Sequence, residues 1–108
     1  MTRNCAVLGS PIAHSLSPAL HLAAYDALGL DWGYRAIEVG EDGLPAFLAG
    51  LDETWRGLSL TMPLKRTVMP LLDELDEWAR LSGAANTVVL EEGRRAGANT
   101  DIPGAMAA

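Results

Sequence analysis

Short apolar segments alternate with helix-like segments along this 108-residue chain, and the alternation constrains its fold more than any other feature. Asn4–Leu8, Tyr34–Val39 and Gly57–Thr61 are predicted to be strands, each followed by a helical pattern. Thr87–Glu91 and Arg94–Asn99 are separated by a glutamate and a glycine, which is a hairpin signal. Strands that alternate with helices form mainly parallel sheets. The sequence therefore predicts an α/β fold, a three-layer sandwich with a mainly parallel sheet and one antiparallel strand from the C-terminal hairpin.

Helices are predicted between these strands. The first begins at Ser17-Pro18, where serine is the N-cap and proline the first helical residue, and it ends at Gly29. The start of this helix presents backbone N–H groups and the positive end of the helix dipole, which together suit a carboxylate or phosphate. The other predicted helical segments are Leu44–Leu51, a helix from about Leu64 that breaks at Pro70, and a short helical turn over Asp73–Arg80.

Composition and charge argue against several classes of partner. Eight basic and fourteen acidic residues give a net charge of −6, and no stretch gathers the Lys and Arg that binding a phosphate backbone requires. The uncharged run from Asn4 to Tyr25 is interrupted by serines, prolines and histidines, so it is too polar for a membrane span or a signal peptide. One cysteine, Cys5, cannot form an internal disulfide. We expect a single cytoplasmic domain over residues 1–108 with no nucleic-acid and no membrane partner.

The motifs that usually hold cofactors or activate nucleophiles do not occur in this sequence. It contains no G-x-G-x-x-G, no G-x-x-x-x-G-K-[ST] and no G-x-S-x-G. His14 and His21 have no cysteine or second carboxylate at the spacing of a zinc site. We therefore expect no bound cofactor and no metal site in this chain.

Polar residues stand at ends of the predicted strands at four places, and open α/β sheets bind ligands at the carboxyl ends of their strands. These residues are Ser15 and Ser17 after the first strand, Ser59, Thr61 and Lys65 around the end of the third, Asn86 before the hairpin, and Thr100 with Asp101 after it. Each place also has a purely structural interpretation, since Ser17 and Asp101 can cap helices and Lys65 can be an exposed side chain. Four such places together favour a ligand site.

Lys65 is the only lysine in a chain with seven arginines. A lysine ammonium can give up and regain a proton, whereas an arginine guanidinium stays protonated. The count by itself leaves two interpretations open, a proton-transfer residue or one lysine left by chance.

Four ordered motifs carry a resemblance to a known family. They are G-S-P-I-x-H-S-L-S-P-x-L-H, G-x-S-L-T-M-P-x-K, G-A-A-N-T-V-V and G-x-N-T-D-x-x-G. Together they resemble the N-terminal, substrate-binding domain of shikimate dehydrogenases, over the stretch from Cys5 to Gly104. That family reduces 3-dehydroshikimate to shikimate with NADPH, in the pathway to aromatic amino acids. Its NADP(H) lies in a second, Rossmann-like domain, which the resemblance places after Gly104.

The resemblance implies a role for each polar residue. Ser15 and Ser17 match the serines that hold the substrate carboxylate, and Thr61 and Thr100 match residues that line the substrate pocket. Asn86 and Asp101 match the pair that hydrogen-bonds ring hydroxyls. Lys65 matches the catalytic lysine that exchanges a proton with the substrate oxygen, with Asp101 paired to it. By this likeness Lys65 and Asp101 are the catalytic residues.

Two departures from the family pattern are visible. Ser59 stands where the family commonly has asparagine, so its reach toward the substrate is shorter. The cofactor domain and the terminal segment that packs back onto this domain are missing, so we expect an exposed face, self-association through it, and no activity from this chain alone.

Two alternatives stay open. One is a quinate or aminoshikimate dehydrogenase. By the family resemblance, a threonine in place of Ser17 would favour quinate, so the serine found here favours shikimate. The other is a stand-alone module that binds a small hydroxylated carboxylate.

Overall fold

The computed structural model describes residues 3–10, 29, 32–61 and 63–100, and in these residues the α/β class is confirmed. The described strands are β1 (Arg3–Gly9), β2 (Trp32–Glu38), β3 (Trp55–Leu60), β4 (Glu74–Leu75), β5 (Thr87–Glu91) and β6 (Arg94–Ala98). The described helices are α1 (Leu44–Ala49), α2 (Leu64–Thr67) and α3 (Glu77–Ser82), with 3-10 turns at Glu41–Gly43 and Met69–Leu71. The helix predicted from Ser17-Pro18 lies outside the described residues.

The described strands form one sheet in the order β2-β1-β3-β5-β6-β4. β1 pairs in parallel with β2 and β3, and β4 pairs in parallel with β6. Among these strands β5 alone runs the other way, since it is antiparallel to both β3 and β6. The turn between β5 and β6 consists of Glu92 and Gly93, both with positive φ (50° and 77°), as a two-residue type I′ turn requires. The predicted hairpin and its single antiparallel strand are confirmed.

β1 is buried on both faces, as expected for an interior strand of a layered sheet. Ala6 and Leu8 point to the larger core cluster, while Cys5 and Val7 point to the opposite face, where they pack with Tyr34. The helices and the turn after α2 add Leu44, Leu48, Leu64, Val68 and Ala79 to the larger cluster. The apolar face of each short helix thus covers the same side of the sheet.

The predicted helical turn over Asp73–Arg80 is wrong in its first half. Glu74–Leu75 is the edge strand β4, which pairs with the middle of β6. The helix α3 begins only after Asp76, whose carboxylate accepts a hydrogen bond of 2.7 Å from the Ala79 N–H and so caps it. A two-residue strand has no alternating pattern of its own, so only its pairing with β6 reveals it.

Other strand boundaries differ from the predicted ones by one or two residues, and the helix predicted to break at Pro70 already ends at Thr67, before the 3-10 turn Met69–Leu71. β2 begins at Trp32 and β3 at Trp55, each two residues before the predicted start. The reason is their pairing with β1, in which Trp32 is opposite Arg3 and Trp55 is opposite Asn4. α1 ends at Ala49, two residues earlier than predicted. Pairing with a neighbour extends these strands past the apolar residues that mark them in the sequence.

Gly97 provides a test of how closely β6 packs. A Cβ atom added there would overlap the Leu72 Cδ1 atom and would lie 3.4 Å from both Ala85 Cβ and Leu75 Cδ2. We expect Gly97→Ala to lower the free energy of unfolding by at most about 1 kcal/mol, because the terminal methyl groups of Leu72 and Leu75 must turn away to admit the new methyl group. Urea denaturation measures the change.

The matched control is Gly40→Ala. A Cβ atom at Gly40 would meet no heavy atom within 4 Å, and its φ of −88° suits any residue. This variant is expected to be as stable as the original chain or slightly more so, because alanine restricts the unfolded state. Equal stability of the two alanine variants would contradict the close packing at Gly97.

Candidate functional site

The structure describes part of the site predicted from the sequence. The predicted site residues within the described ranges are Ser59, Thr61, Lys65, Asn86 and Thr100. Ser15, Ser17 and Asp101 lie outside the described residues. The described portion of the site comes from β3, α2 and the β5–β6 hairpin.

Thr61 lies where the parallel strands β1 and β3 end side by side. Its backbone N–H and its hydroxyl both donate to the Leu8 carbonyl, at 2.9 and 3.0 Å. Its own carbonyl accepts a hydrogen bond of 2.9 Å from the Leu64 N–H, at the start of α2. These three bonds hold Thr61 at the carboxyl edge of the sheet, which is where open α/β sheets bind ligands.

Lys65 and Asn86 are tied to this same edge through the backbone. Lys65 is the second residue of α2, and its carbonyl accepts a hydrogen bond of 2.8 Å from the Ala85 N–H. The Asn86 carbonyl accepts a bond of 2.8 Å from the Leu60 N–H, at the end of β3. The segment before β5 is therefore held to both α2 and β3, and the half-buried Lys65 directly follows Leu64, whose N–H donates to the Thr61 carbonyl.

Asn86 and Thr100 form a reciprocal pair. The Asn86 Nδ2 donates to Thr100 Oγ1 at 2.9 Å, and the Thr100 N–H donates to Asn86 Oδ1 at 3.1 Å. Asn86 Oδ1 also accepts the Thr87 hydroxyl at 3.0 Å, and the Asn86 N–H donates to the Ala98 carbonyl at 3.0 Å. The asparagine side chain thus orders the chain that leaves β6 toward position 101.

Asn99 supports the site from inside the protein, and sequence reasoning assigned it no role. It is 5% exposed, and its Nδ2 donates to Ser82 Oγ and to the Ala84 carbonyl, both at 3.1 Å. Its backbone N–H donates to the Asp76 carboxylate at 3.3 Å. A buried amide needs such partners, and nothing in the sequence around Asn99 distinguishes it from an exposed asparagine. It anchors the residue that precedes Thr100.

Ser59 lies two residues before Thr61 and has a partner on another strand. The Tyr34 hydroxyl, on β2, donates to Ser59 Oγ at 2.8 Å. Tyr34 is only 6% exposed, and this burial raises its pKa. The hydrogen bond to Ser59 lowers the pKa of Tyr34 and so opposes that rise. The electrostatic effect of the nearby Cys5 raises the pKa further. Tyr34 is therefore a phenol with a proton to donate at neutral pH.

The described residues do not fit a dinucleotide. Close approach of a pyrophosphate needs closely spaced glycines, as in G-x-G, where a strand turns into a helix; the turn from β2 to α1 has Gly40 and Gly43, three residues apart, and the described residues between β3 and α2 are Thr61 and Pro63. No three His, Cys, Asp or Glu side chains of the described residues lie together as a metal would require. No described helix is long and apolar enough to cross a membrane.

A surface cavity of about 310 Å³ lies away from this edge. It is bounded by the end of α1, the start of β3 at Trp55 and Arg56, and the hairpin turn at Glu92 and Gly93. These residues are at the opposite end of the sheet from Thr61 and Asn86. The cavity therefore does not contribute to the candidate site.

Comparison with known proteins gives one consistent result. The family model described as the shikimate dehydrogenase substrate binding domain matches residues 7–88. The chain is similar to the shikimate dehydrogenase (NADP(+)) of an Exiguobacterium species, with 48% identity over 106 residues. That match covers 97% of this chain and 41% of the relative. Across the relatives compared, the chain spans only 36% to 41% of their length.

Solved structures agree with the sequence comparison. A shikimate 5-dehydrogenase from Mycobacterium fortuitum superposes with a TM-score of 0.92 at 45% identity, covering 100% of this chain and 41% of the other. The shikimate 5-dehydrogenase of Thermus thermophilus, solved in complex with shikimate, has a TM-score of 0.92 at 44% identity and covers 97% of this chain and 40% of that one. Both similarities extend over almost the whole chain.

The raised pKa of Tyr34 predicts a loss of stability at alkaline pH. An unfolded tyrosine ionises near pH 10, whereas folded Tyr34 keeps its proton to higher pH. Its contribution to stability is therefore complete below about pH 10 and is lost as the pH rises toward the folded pKa. The free energy of unfolding, measured with urea, should fall over this range, and Tyr34→Phe should reduce the slope.

The chain has two tyrosines, so a second variant isolates the signal. In Tyr25→Phe the ultraviolet absorbance of tyrosinate reports Tyr34 alone. We expect its titration midpoint to lie above that of the same variant unfolded in urea. A midpoint at or below the unfolded one would contradict the assignment of the burial effect to Tyr34.

Proposed function

Because the chain belongs to the shikimate dehydrogenase family, as its substrate-binding domain, we propose that it holds shikimate or 3-dehydroshikimate at the carboxyl edge of its sheet. The observation that carries the proposal is the convergence of Thr61, Lys65, Asn86 and Thr100 at that edge. Backbone bonds from Leu60 to Asn86 and from Ala85 to Lys65 bring them together. The shikimate complex of the Thermus thermophilus relative, at 44% identity, supports the same ligand class.

Each polar residue would meet a different part of the ligand. Ser15 and Ser17 hold the carboxylate, because hydroxyl groups donate well to a carboxylate oxygen. Asn86 and Asp101 bind ring hydroxyls, with Thr61, Thr100 and Ser59 lining the same pocket. The reciprocal bonds between Asn86 and Thr100 support this assignment, since they bring the chain next to Asp101 up to Asn86.

Lys65 would exchange the proton of the reaction. In the reducing direction its ammonium donates a proton to the ligand oxygen as that oxygen becomes a hydroxyl, and in the oxidising direction the amine takes the proton back. Asp101 orients the ammonium. NADP(H) supplies or accepts the hydride in this family and would be held by a second domain, since the residues described here do not fit it.

Residues 1–108 would then form one substrate-binding domain of a longer oxidoreductase in aromatic amino-acid biosynthesis. The single cysteine, which has no partner for an internal disulfide, supports a cytoplasmic location. Self-association through an uncovered sheet face is part of the same proposal. It is supported by Val89 on β5, which is 45% exposed although it lies within a strand.

Shikimate binding tests the site directly. Titration of shikimate into the 108-residue chain should shift the NMR amide signals of Thr61, Lys65, Asn86 and Thr100, and quinate should shift them less. Asn86→Ala should weaken shikimate binding roughly tenfold or more, because it removes hydrogen bonds at the ligand and frees the segment at Thr100.

Asn4→Ala is the matched control. Asn4 is a partly buried asparagine on β1 whose Nδ2 donates to Thr54 Oγ1 at 2.8 Å, at the end of the sheet opposite Thr61. This variant should bind shikimate as tightly as the original chain. Absence of amide shifts with either ligand in a folded chain would reject the proposal for the isolated domain.

Lys65 substitutions separate proton transfer from binding. In a protein that carries this domain together with its NADP-binding domain, Lys65→Ala should lower kcat roughly 10²- to 10⁴-fold, with a much smaller change in KM. Lys65→Arg should lose similar activity, since arginine keeps the charge but does not release a proton. Equal losses in kcat and affinity, or activity retained by the arginine variant, would make Lys65 a positioning residue.

A further inference from the structure

Tyr34 and Ser59 are joined across an intervening strand. β1 lies between β2 and β3, and its residue Cys5 is in register with Tyr34 while Val7 is in register with Ser59. All four side chains are on the same face of the sheet. Neighbouring strands are about 4.8 Å apart, so β2 and β3 lie roughly 10 Å apart, and the tyrosine side chain, the 2.8 Å hydrogen bond and the serine side chain together bridge that distance.

Packing holds the tyrosine rigidly in this position. Its ring lies in a buried cluster with Cys5 and Val7, which are 7% and 1% exposed. A buried aromatic ring with two side-chain torsions has little freedom to move its hydroxyl. The serine, by contrast, has three staggered positions for its Oγ atom. A hydrogen bond from a fixed donor therefore selects one of them.

The direction of the bond determines what Ser59 can offer a ligand. Tyr34 donates, so Ser59 accepts, and the Ser59 hydroxyl keeps its own hydrogen as the one it can donate. Ser59 precedes Thr61 by two residues and therefore faces the same side of β3, next to the edge where the candidate site lies.

We propose that Tyr34 is a positioning residue of the substrate site, which through its hydrogen bond fixes the Ser59 hydroxyl so that it donates to an oxygen atom of the ligand. The identity of the ligand, shikimate, rests on the proposed function. The fixing of Ser59 by Tyr34 does not, because it follows from the buried cluster and the bond between the two side chains.

The first measurement needs no ligand. NMR three-bond couplings between the Hα and Hβ protons of Ser59 should report one rotamer in the original chain and rotamer averaging in Tyr34→Phe, which keeps the ring and loses the hydroxyl. Thr54→Val is the control, because it removes a side-chain hydroxyl that accepts a hydrogen bond of 2.8 Å from Asn4 at the opposite end of the sheet, and it should leave the couplings unchanged. One unchanged rotamer in Tyr34→Phe overturns the proposal.

The second measurement uses shikimate and a double-mutant cycle. Tyr34→Phe should weaken shikimate binding roughly 3- to 10-fold, and should change it less than about 2-fold when Ser59→Ala is already present. Equal weakening in both backgrounds, or no weakening in either, overturns the role of Tyr34. Failure of the original chain to bind shikimate would reject the proposed function, and the Ser59 couplings would still decide whether Tyr34 fixes that hydroxyl.

Discussion

The burial of β1 on both of its faces is the constraint on which the rest of the structure depends. The residues Cys5–Gly9 of β1 are buried, and β2 and β3 flank the strand in parallel. Parallel neighbours end at the same edge, so the Leu8 carbonyl at the end of β1 meets the N–H and the hydroxyl of Thr61. The position of the candidate site follows from where β1 ends.

The hairpin brings the remaining residues to that edge from the opposite direction. Because β5 runs antiparallel to β3, the residue before it, Asn86, lies beside the end of β3. The tight turn then returns β6 to the same edge, where Thr100 meets the Asn86 side chain. Buried Asn99 secures this return by bonding Ser82 and Ala84. Residues almost forty positions apart thereby share one polar surface.

Polar residues at strand ends stand out in the sequence. Thr61, Lys65, Asn86 and Thr100 were predicted as site residues for that reason; the structure brings their backbone segments to one edge, and their roles toward a ligand stay a prediction. Tyr34 was missed because a tyrosine within a strand is typical of a half-buried packing residue. Its partner Ser59 lies two strands away, and only the register with β1 shows that they meet. The strand β4 was missed for the same reason, since pairing alone defines it.

The sequence by itself determined the α/β class, the hairpin with its antiparallel strand, and the family, because these depend on local periodicity, turn residues and ordered motifs. Tertiary structure alone decided which side chains from separate segments share a hydrogen bond: Tyr34 with Ser59, Asn86 with Thr100, and Asn99 with Ser82. The physical reason is that strand order and register set these distances. A hydrogen bond of about 3 Å depends on both, whereas an apolar pattern records only which face of its own strand a residue occupies.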